Sequence, residues 1–387
     1  MRRILHEIVT VYCHELLMVV RDGGVLLFLL FLPLIYPIIY SLIYNPEIVR
    51  DVEMIVVDEN RSSLSRQLIR DLDATPEIKI IGHASNMEEA KHAMHSHQCF
   101  AILLIPHKFS TDISRNIQTD AVIFSDMSLL LRYKAFLTAS ANVAQKLGSD
   151  IQFQKSAALG SASPLQTSTD LMPITSVNMG NTAGGLDSFI MPGVLILILH
   201  QCIILAIGMI GGAYREQKHQ QHSSIRLTIS IVGRALCYLT LIFPAIIFLT
   251  YYVPIIFSFP MFGNFFETLL FLFPMLLASI FFGFCFQTFV SERESVFMLW
   301  VATSIILIFL SGLTWPRYAM PQLWQIIGGL FPSTWAIEGF IKMNSNGAEL
   351  WQVANEYLML WILAAGYFIL AFLLQRYHKN INNITFY

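Results

Sequence analysis

Residues of the types that perform chemistry are few in this chain, and no known catalytic pattern joins them. The sequence has no GxxxxGK loop followed by Ser or Thr to cradle phosphates, and no GxSxG or HExxH segment. Its five cysteines form no CxxC pair and no zinc spacing, so we expect neither a disulfide framework nor a metal site. By itself, the chain is therefore predicted not to be an enzyme and to bind no cofactor.

The composition indicates a membrane protein. Of the 387 residues, 55% are hydrophobic and 13% are charged, whereas soluble domains are about 25% charged. The net charge of −2 gives no field that would attract nucleic acid. The apolar residues are concentrated in runs of about 20, each long enough to cross a lipid bilayer as a helix. We predict six transmembrane helices, at 24–44, 188–212, 229–257, 265–289, 296–313 and 354–375.

These apolar runs contain almost no ionisable residues. A charged side chain inside the bilayer raises the free energy strongly, so one that is present usually serves a function. Glu267 is expected at the edge of one span, and Arg234 near the start of another, from which its side chain can reach the membrane surface. His200 lies about midway along its span, and we expect it to be a hydrogen-bonded packing residue, with a proton relay as the alternative. This scarcity of ionisable groups within the spans argues against ion-coupled transport.

The N-terminal region should form two helices. Residues 1–23 are predicted to be an amphipathic helix lying in the cytoplasmic membrane interface, because apolar residues recur there at helical spacing. A simple extension of the first span is the alternative. The first transmembrane helix is placed at 24–45, and Pro33 and Pro37 inside it predict a local distortion.

Residues 46–186 differ in kind and predict an inserted α/β domain, followed by a linker. Short β-rich runs alternate there with helical patterns, which is typical of such a fold. Strands are expected at 52–57, 77–82, 99–105 and 121–125, helices at 62–73, 86–96 and 127–158, and a loose segment at 160–186. Asn86 is expected to cap the second of these helices.

The remaining chain returns to membrane composition. Residues 187–376 are predicted to form a five-helix transmembrane domain, followed by a tail at 377–387. Within it, 314–350 is too broken by prolines and polar residues for a full span, and predicts a re-entrant or interfacial hairpin. The fold class is therefore an α-helical polytopic membrane protein with six transmembrane helices and an inserted α/β domain.

Basic residues predict the orientation, since short cytoplasmic loops carry an excess of Lys and Arg. They lie at both termini and in alternate loops, whereas the short loop 258–264 has none. Both termini are therefore expected in the cytoplasm, residues 46–186 outside it, and the protein in the cell inner membrane. The basic residues that set this orientation are Arg2, Arg3, Arg21, Arg215, Lys218, Arg226, Arg293, Arg376 and Lys379.

Two further features concern contacts. Gly208 and Gly212 lie one turn apart in a span, and small residues at that spacing allow helices to pack closely, within or between subunits. The loops 214–226 and 291–295 are short and charged. They could dock a soluble partner, or they could serve only to reverse the direction of the chain between two spans.

Two stretches carry a family resemblance. Residues 311–347, SGLTWPRYAMPQLWQIIGGLFPSTWAIEGFIKMNSNG, and residues 100–113, FAILLIPHKFSTDI, are similar to segments of the type-2 ABC transporter permeases, the membrane subunits of a class of ABC exporters. The order of parts along nearly the whole chain also resembles the subgroup with a large extracytoplasmic domain. In that family the first stretch forms short half-helices on the outer side. The resemblance thus implies an outer hairpin or gate containing Trp315, Pro316, Pro321, Trp324, Pro332, Trp335 and Glu338.

The resemblance also implies partners. A separate ABC ATPase, which binds ATP and Mg²⁺, would dock on the helix at 3–20 and the loop at 214–226. A second permease copy or a paralogue would complete the translocation pathway, and a periplasmic adaptor could join the assembly. The implied ATPase-coupling residues are Arg3, Glu7, Arg215, Glu216, Lys218 and Arg226, although the intervening KHQQHSSI is atypical of the family.

Other readings of the sequence remain. The chain could be a membrane-anchored assembly or signalling protein whose outer domain binds a partner, although a passive anchor needs no broken hairpin at membrane depth. A membrane enzyme would need a polar catalytic set that the sequence does not offer. For an exporter, the sequence leaves open whether the cargo is a drug, a lipid, a glycan or a peptide.

Overall fold

The computed structural model describes residues 2–44, 49–115, 117–127, 130–158, 186–216, 226–259 and 261–384. The chain divides into two units, one formed by residues 1–47 with 178–387 and the other by residues 48–177. The predicted loose segment at 160–186 lies, except for its last residue, outside the described residues.

The first unit contains the apolar helices. Within the described residues, six helices are long and apolar enough to cross a membrane, as predicted. These first to sixth spans are Gly23–Ile43, Ile190–Glu216, Leu227–Phe257, Phe265–Phe286, Arg293–Leu310 and Leu350–Tyr377. The second span is 89% buried, and the other five are 17–67% buried, so the second span is the centre of the bundle. The last helix continues from Ala354 to Ile384, through most of the predicted tail.

A separate helix, Arg2–Arg21, precedes the first span. The chain is extended at Asp22, whose carboxylate accepts hydrogen bonds from the backbone N–H groups of Gly24 and Val25 at 3.0 and 3.1 Å. This is an N-cap, which satisfies two amide groups at the start of the new helix. The N-terminal helix is therefore not an extension of the first span.

Two spans contain a widened turn just before a proline. A π-helical turn at Leu27–Phe31 precedes Pro33, and another at Phe248–Tyr252 precedes Pro254. Proline cannot donate to the carbonyl four residues earlier and its ring clashes with that group, so a wider turn relieves the contact. The predicted distortion in the first span takes this form.

The segment between the fifth and sixth spans contains only short helices. They are the 3₁₀ turn Arg317–Ala319 and the α-helices Gln322–Gly329 and Pro332–Asn346, and a second 3₁₀ turn, Leu350–Val353, opens the sixth span. Pro332 starts the longer helix at a position where its missing N–H costs no hydrogen bond, and Gly347 ends it with a positive φ of 70°. The broken segment therefore has a defined fold.

The second unit is a four-stranded α/β fold. The strands are β1 (Val52–Asp58), β2 (Ile78–His83), β3 (Ala101–Ile105) and β4 (Val122–Ser125), in the order β2-β1-β3-β4, with only the β3–β4 pair antiparallel. All four predicted strands are present. The helices of this unit are Ser63–Asp73, Met87–His95, Phe109–Ser114 and Leu130–Ala158.

Caps and packing explain why these helices lie on the sheet. Asn86 caps its helix through a hydrogen bond from the Glu89 amide to the Asn86 side chain at 2.8 Å, as predicted. Phe136 and Val143 of the long helix are buried with Met54 and Leu103 of the two central strands, so that helix covers one face of the sheet. The helix at Met87–His95 contributes Ala90 to a smaller cluster with Val57 and Ile102.

Candidate functional site

A buried ion pair joins the N-terminal helix to the third span. Glu15 Oε1 lies 3.0 Å from Arg234 Nε, and the two residues are 1% and 4% exposed. The hydroxyl groups of Tyr238 and Tyr214 donate to the same carboxylate at 3.0 and 2.9 Å, while Arg234 Nη2 donates to Gln287 Oε1 at 2.9 Å. Both charges therefore have several hydrogen-bond partners, which buried ions require.

Local sequence places each member of this group, which we call the Glu15 cluster (Glu15, Tyr214, Arg234, Tyr238 and Gln287). Arg234 and Tyr238 lie one helical turn apart and so share a face of the third span. Gly233 lets the N-terminal helix approach closely, since a Cβ there would lie 3.0 Å from the Ile8 carbonyl oxygen and from Val11. The cluster thus links the N-terminal helix with the end of the second span, the start of the third and the end of the fourth.

A second set of contacts lies at the same ends of the spans. Asp22 accepts a hydrogen bond from Arg293 Nη2 at 2.5 Å, which ties the start of the first span to the start of the fifth. The backbone N–H of Arg293 donates to Glu216 at 2.8 Å. Arg215 donates to the carbonyl oxygens of Thr288 and Val290, the first at 2.6 Å. These contacts therefore join the ends of four spans, the first, second, fourth and fifth.

The predicted ATPase-coupling residues fall into two groups. Arg215 and Glu216 bind the turn between the fourth and fifth spans, so their polar groups are already engaged within the chain. Arg3 and Glu7 pair with each other at 3.3 Å, with side chains 93% and 27% exposed. Arg226 is exposed at the start of the third span, and Lys218 lies outside the described residues.

Sequence reasoning missed most of the Glu15 cluster. The prediction that the Arg234 side chain reaches the membrane surface is wrong, because Glu15 holds it inside the protein. Glu15 occupies a helical position shared with Ile4, Ile8 and Val11, and a carboxylate on an otherwise apolar stripe was the available signal. The long sequence separation between Glu15 and Arg234 concealed their pairing.

The paired glycines of the second span contact the fifth span. A Cβ on Gly208 would lie 2.8 Å from the Val296 side chain, and one on Gly212 would lie 2.7 Å from the Cα and N atoms of Arg293. The second contact is with backbone, which cannot move away as a side-chain tip can. Gly212 thus sets the close approach of the two helices beside the Asp22–Arg293 pair, within one chain.

The opposite end of the fourth span meets a second charged network. Glu338 lies between Arg317, at 3.0 Å, and Lys342, at 3.1 Å, and Lys342 also binds Glu356 at 2.6 Å. Burial disfavours the charged form of Lys342, but its hydrogen bonds with Glu356 and Glu338 outweigh this effect and raise its pKa. Arg317 also lies over the Trp335 ring, 4.3 Å from its centroid. The network joins the short helices to the start of the sixth span.

The other predicted gate residues occupy two environments. The Trp335 indole donates to the Gly329 carbonyl oxygen at 2.8 Å, and Pro332 is buried at the start of its helix. Pro316 and Pro321 immediately precede the 3₁₀ turn and the first short helix. Trp315 and Trp324 are 58% and 47% exposed. Only Trp335 and Glu338 thus share one network with Arg317.

His200 is buried midway along the second span. Its Nδ1 lies 2.8 Å from the Ser279 hydroxyl, and the Phe282 and Trp300 rings pack around it with centroids 6.0 Å away. This matches the expected hydrogen-bonded packing residue. Among the described residues, no group of three or more His, Cys, Asp and Glu side chains is placed to hold a metal ion.

Together, the two networks fix opposite ends of the helix bundle, and the His200–Ser279 contact lies between them in a mostly apolar middle. Such an arrangement can transmit a force applied to the N-terminal helix into the third and fourth spans, because the Glu15 cluster bonds to both.

Comparison with known proteins supports a transport role. Residues 24–373 match the family described as ABC-2 family transporter protein. A search of curated proteins found no matching relative.

Proposed function

The chain belongs to the ABC-2 family of transporter proteins and is a transporter membrane subunit, and from this premise we propose that it is the permease of an ATP-driven exporter. A separate ABC ATPase supplies the energy by binding ATP and Mg²⁺, since the sequence carries no phosphate-binding loop. A second copy or a paralogue completes the translocation pathway. The cargo of the exporter is an amphipathic molecule such as a drug or a lipid.

The observation that carries this proposal is the burial of Glu15 against Arg234. An amphipathic helix that merely rested on a membrane would keep its charges in water. Here the helix instead buries a carboxylate against the third span, and Arg234 extends the contact to Gln287 at the end of the fourth. A partner that moves the helix therefore moves the spans with it.

The opposite, exposed face of the N-terminal helix suits the ATPase. Arg3 and Glu7 lie near its start, while Arg226 lies in the segment that follows the second span. We place both termini and this end of the bundle in the cytoplasm, residues 46–186 outside it, and the protein in the inner membrane. Closure of the ATPase dimer would shift the N-terminal helix and switch the spans between two arrangements. A periplasmic adaptor would engage the outer unit.

Purification from native membranes tests the proposal. The tagged chain should copurify with a protein that contains a GxxxxGK motif, and the complex should show vanadate-sensitive ATP hydrolysis. Charge reversal at the exposed Arg3 and Arg226 should reduce the copurified ATPase several-fold. These residues are preferable to Arg215 and Glu216, whose reversal would also break contacts within the chain.

The matched control is Lys91→Glu, which reverses an exposed charge in the α/β unit and should leave copurification unchanged. The absence of any copurifying ATPase and of vanadate-sensitive hydrolysis would refute the proposal. Copurification that survives the Arg3 and Arg226 reversals would refute the docking surface alone.

A further inference from the structure

A concave site of about 440 Å³ lies where the start of the fourth span meets the start of the sixth. Its lining consists of Glu267, Glu349, Leu350, Trp351, Ala354 and Tyr357. Two carboxylates thus share one cavity with two aromatic rings and aliphatic groups. Neither the Glu15 cluster nor the Arg317–Glu338–Lys342 network uses these residues.

The charge at this end of the bundle is unbalanced. Residues 311–357 together with Glu267 contain four carboxylates and two cations. Arg317 and Lys342, the two cations, pair with Glu338 and Glu356. Within the part of the chain that the structure describes, Glu267 and Glu349 form no ion pair. The two unneutralised carboxylates are therefore those that line the cavity.

Both carboxylates are oriented by hydrogen bonds from N–H groups, and neither is neutralised by a cation among the described residues. Glu267 Oε2 accepts a hydrogen bond from the backbone N–H of Leu350 at 2.9 Å. Glu349 Oε2 accepts one from the indole N–H of Trp351 at 2.7 Å. The Glu349 carboxylate also accepts the backbone N–H of Gln352, and the Gln352 side chain in turn accepts the backbone N–H of Glu349 at 2.9 Å. A bound cation would thus meet two negative groups that are already oriented.

The aromatic rings are also fixed. The hydrogen bond to Glu349 orients the Trp351 ring, which is 70% exposed. Tyr357 packs edge-on against Trp361, with ring centroids 6.3 Å apart. An aromatic face attracts a cation, most strongly when the cation has shed its water. Leu350 and Ala354 add apolar surface for the rest of the ligand.

We propose that this cavity binds an organic cation, namely an ammonium or phosphonium group attached to an apolar body. The carboxylates would neutralise its charge, Trp351 and Tyr357 would stack on it, and the aliphatic lining would contact its apolar part. A membrane-interface anchor would explain the exposure of Trp351, but it requires no pair of unneutralised carboxylates. The proposal needs no ATPase and stands independently of the proposed function.

Binding of tetraphenylphosphonium to the purified full chain tests the site. In nanodiscs of phosphatidylglycerol, the wild-type protein should bind this cation saturably, and tetraphenylborate, an anion of the same shape, should not compete. Glu267→Gln with Glu349→Gln should weaken binding at least tenfold. Glutamine keeps a carbonyl oxygen for the Leu350 amide, so the double variant should retain its unfolding midpoint.

The matched control is Glu292→Gln, which removes an exposed carboxylate at the opposite end of the bundle and should leave the affinity unchanged. Trp351→Leu, which keeps both carboxylates, should weaken binding severalfold through loss of the aromatic face. The ratio of wild-type to double-variant affinity, measured in the same nanodiscs, cancels the attraction of the probe to an anionic bilayer. A smaller ratio in phosphatidylcholine would show that a lipid headgroup occupies the same site, and an equal ratio would assign the site to free cations. Affinity that is unaffected by the two glutamine substitutions would overturn the proposal.

Discussion

The Glu15 carboxylate and the Arg234 guanidinium lie 3.0 Å apart, with side chains 2% and 5% exposed. A buried pair of this kind is costly to desolvate, and it persists only where further hydrogen bonds satisfy both ions. Tyr214 and Tyr238 provide them for Glu15, and Gln287 does so for Arg234. Glu15 therefore bonds the buried face of the N-terminal helix to the second and third spans.

Removal of either charge should destabilise the protein strongly. Glu15→Gln or Arg234→Gln leaves the other ion buried without its partner, a change that costs about 3–5 kcal/mol. The double substitution leaves no lone buried charge and should cost less than the sum of the two. Thermal unfolding in detergent, analysed as a double-mutant cycle, measures this coupling. Strict additivity of the two effects would contradict the pair.

The same link should be required for energy coupling. Glu15→Gln should leave the exposed face of the N-terminal helix intact, so the ATPase should still copurify. Stimulation of ATP hydrolysis by the permease should nevertheless fall severalfold, because a neutral amide holds the Arg234 guanidinium less tightly than the carboxylate and transmits movement of the helix less fully. Tyr12→Phe, which removes a hydroxyl that lies 3.0 Å from the Thr240 hydroxyl on the same pair of helices, is the control. Full stimulation in the Glu15 variant would argue against coupling through this residue.

Glycine substitutions should distinguish close helix contacts from open ones. Gly212→Ala places a Cβ within 2.7 Å of Arg293 backbone atoms and should cost about 1–3 kcal/mol through overpacking. Gly366→Ala is the matched control, because nothing lies within 4 Å of its Cβ, and replacing a helical glycine gains up to about 1 kcal/mol. Unfolding midpoints of the two variants should therefore shift in opposite directions. A neutral Gly212 variant would show that the two helices are further apart.

Cysteine reactivity should report the fold of the α/β unit. Cys99 is fully buried against the sheet, and both burial and the nearby Glu53 raise the pKa of its thiol. Cys13 is exposed on the N-terminal helix. A maleimide at pH 7 should therefore label Cys13 rapidly and Cys99 only after unfolding, as peptide mass spectrometry can establish. Rapid labelling of Cys99 in the folded protein would contradict the packing of this unit.

The sequence predicted the elements well and their polar contacts poorly. The spans and the strands of the α/β unit follow from local hydrophobic periodicity. The Glu15–Arg234 pair depends on two residues that are 219 positions apart in the sequence, which no local pattern relates. For the same reason Arg215 and Glu216 resembled free docking residues, whereas both bind the turn between the fourth and fifth spans.

The proposed exporter function requires the Glu15 end of the bundle to face the cytoplasm and the α/β unit to lie outside it. Single cysteines at two exposed positions, Lys91→Cys in that unit and Arg376→Cys at the end of the sixth span, test this in a Cys13→Ser background. With a membrane-impermeant maleimide on intact cells, position 91 should be labelled at once and position 376 only after permeabilisation. Labelling of both positions from the same side would contradict this topology and the exporter function that depends on it.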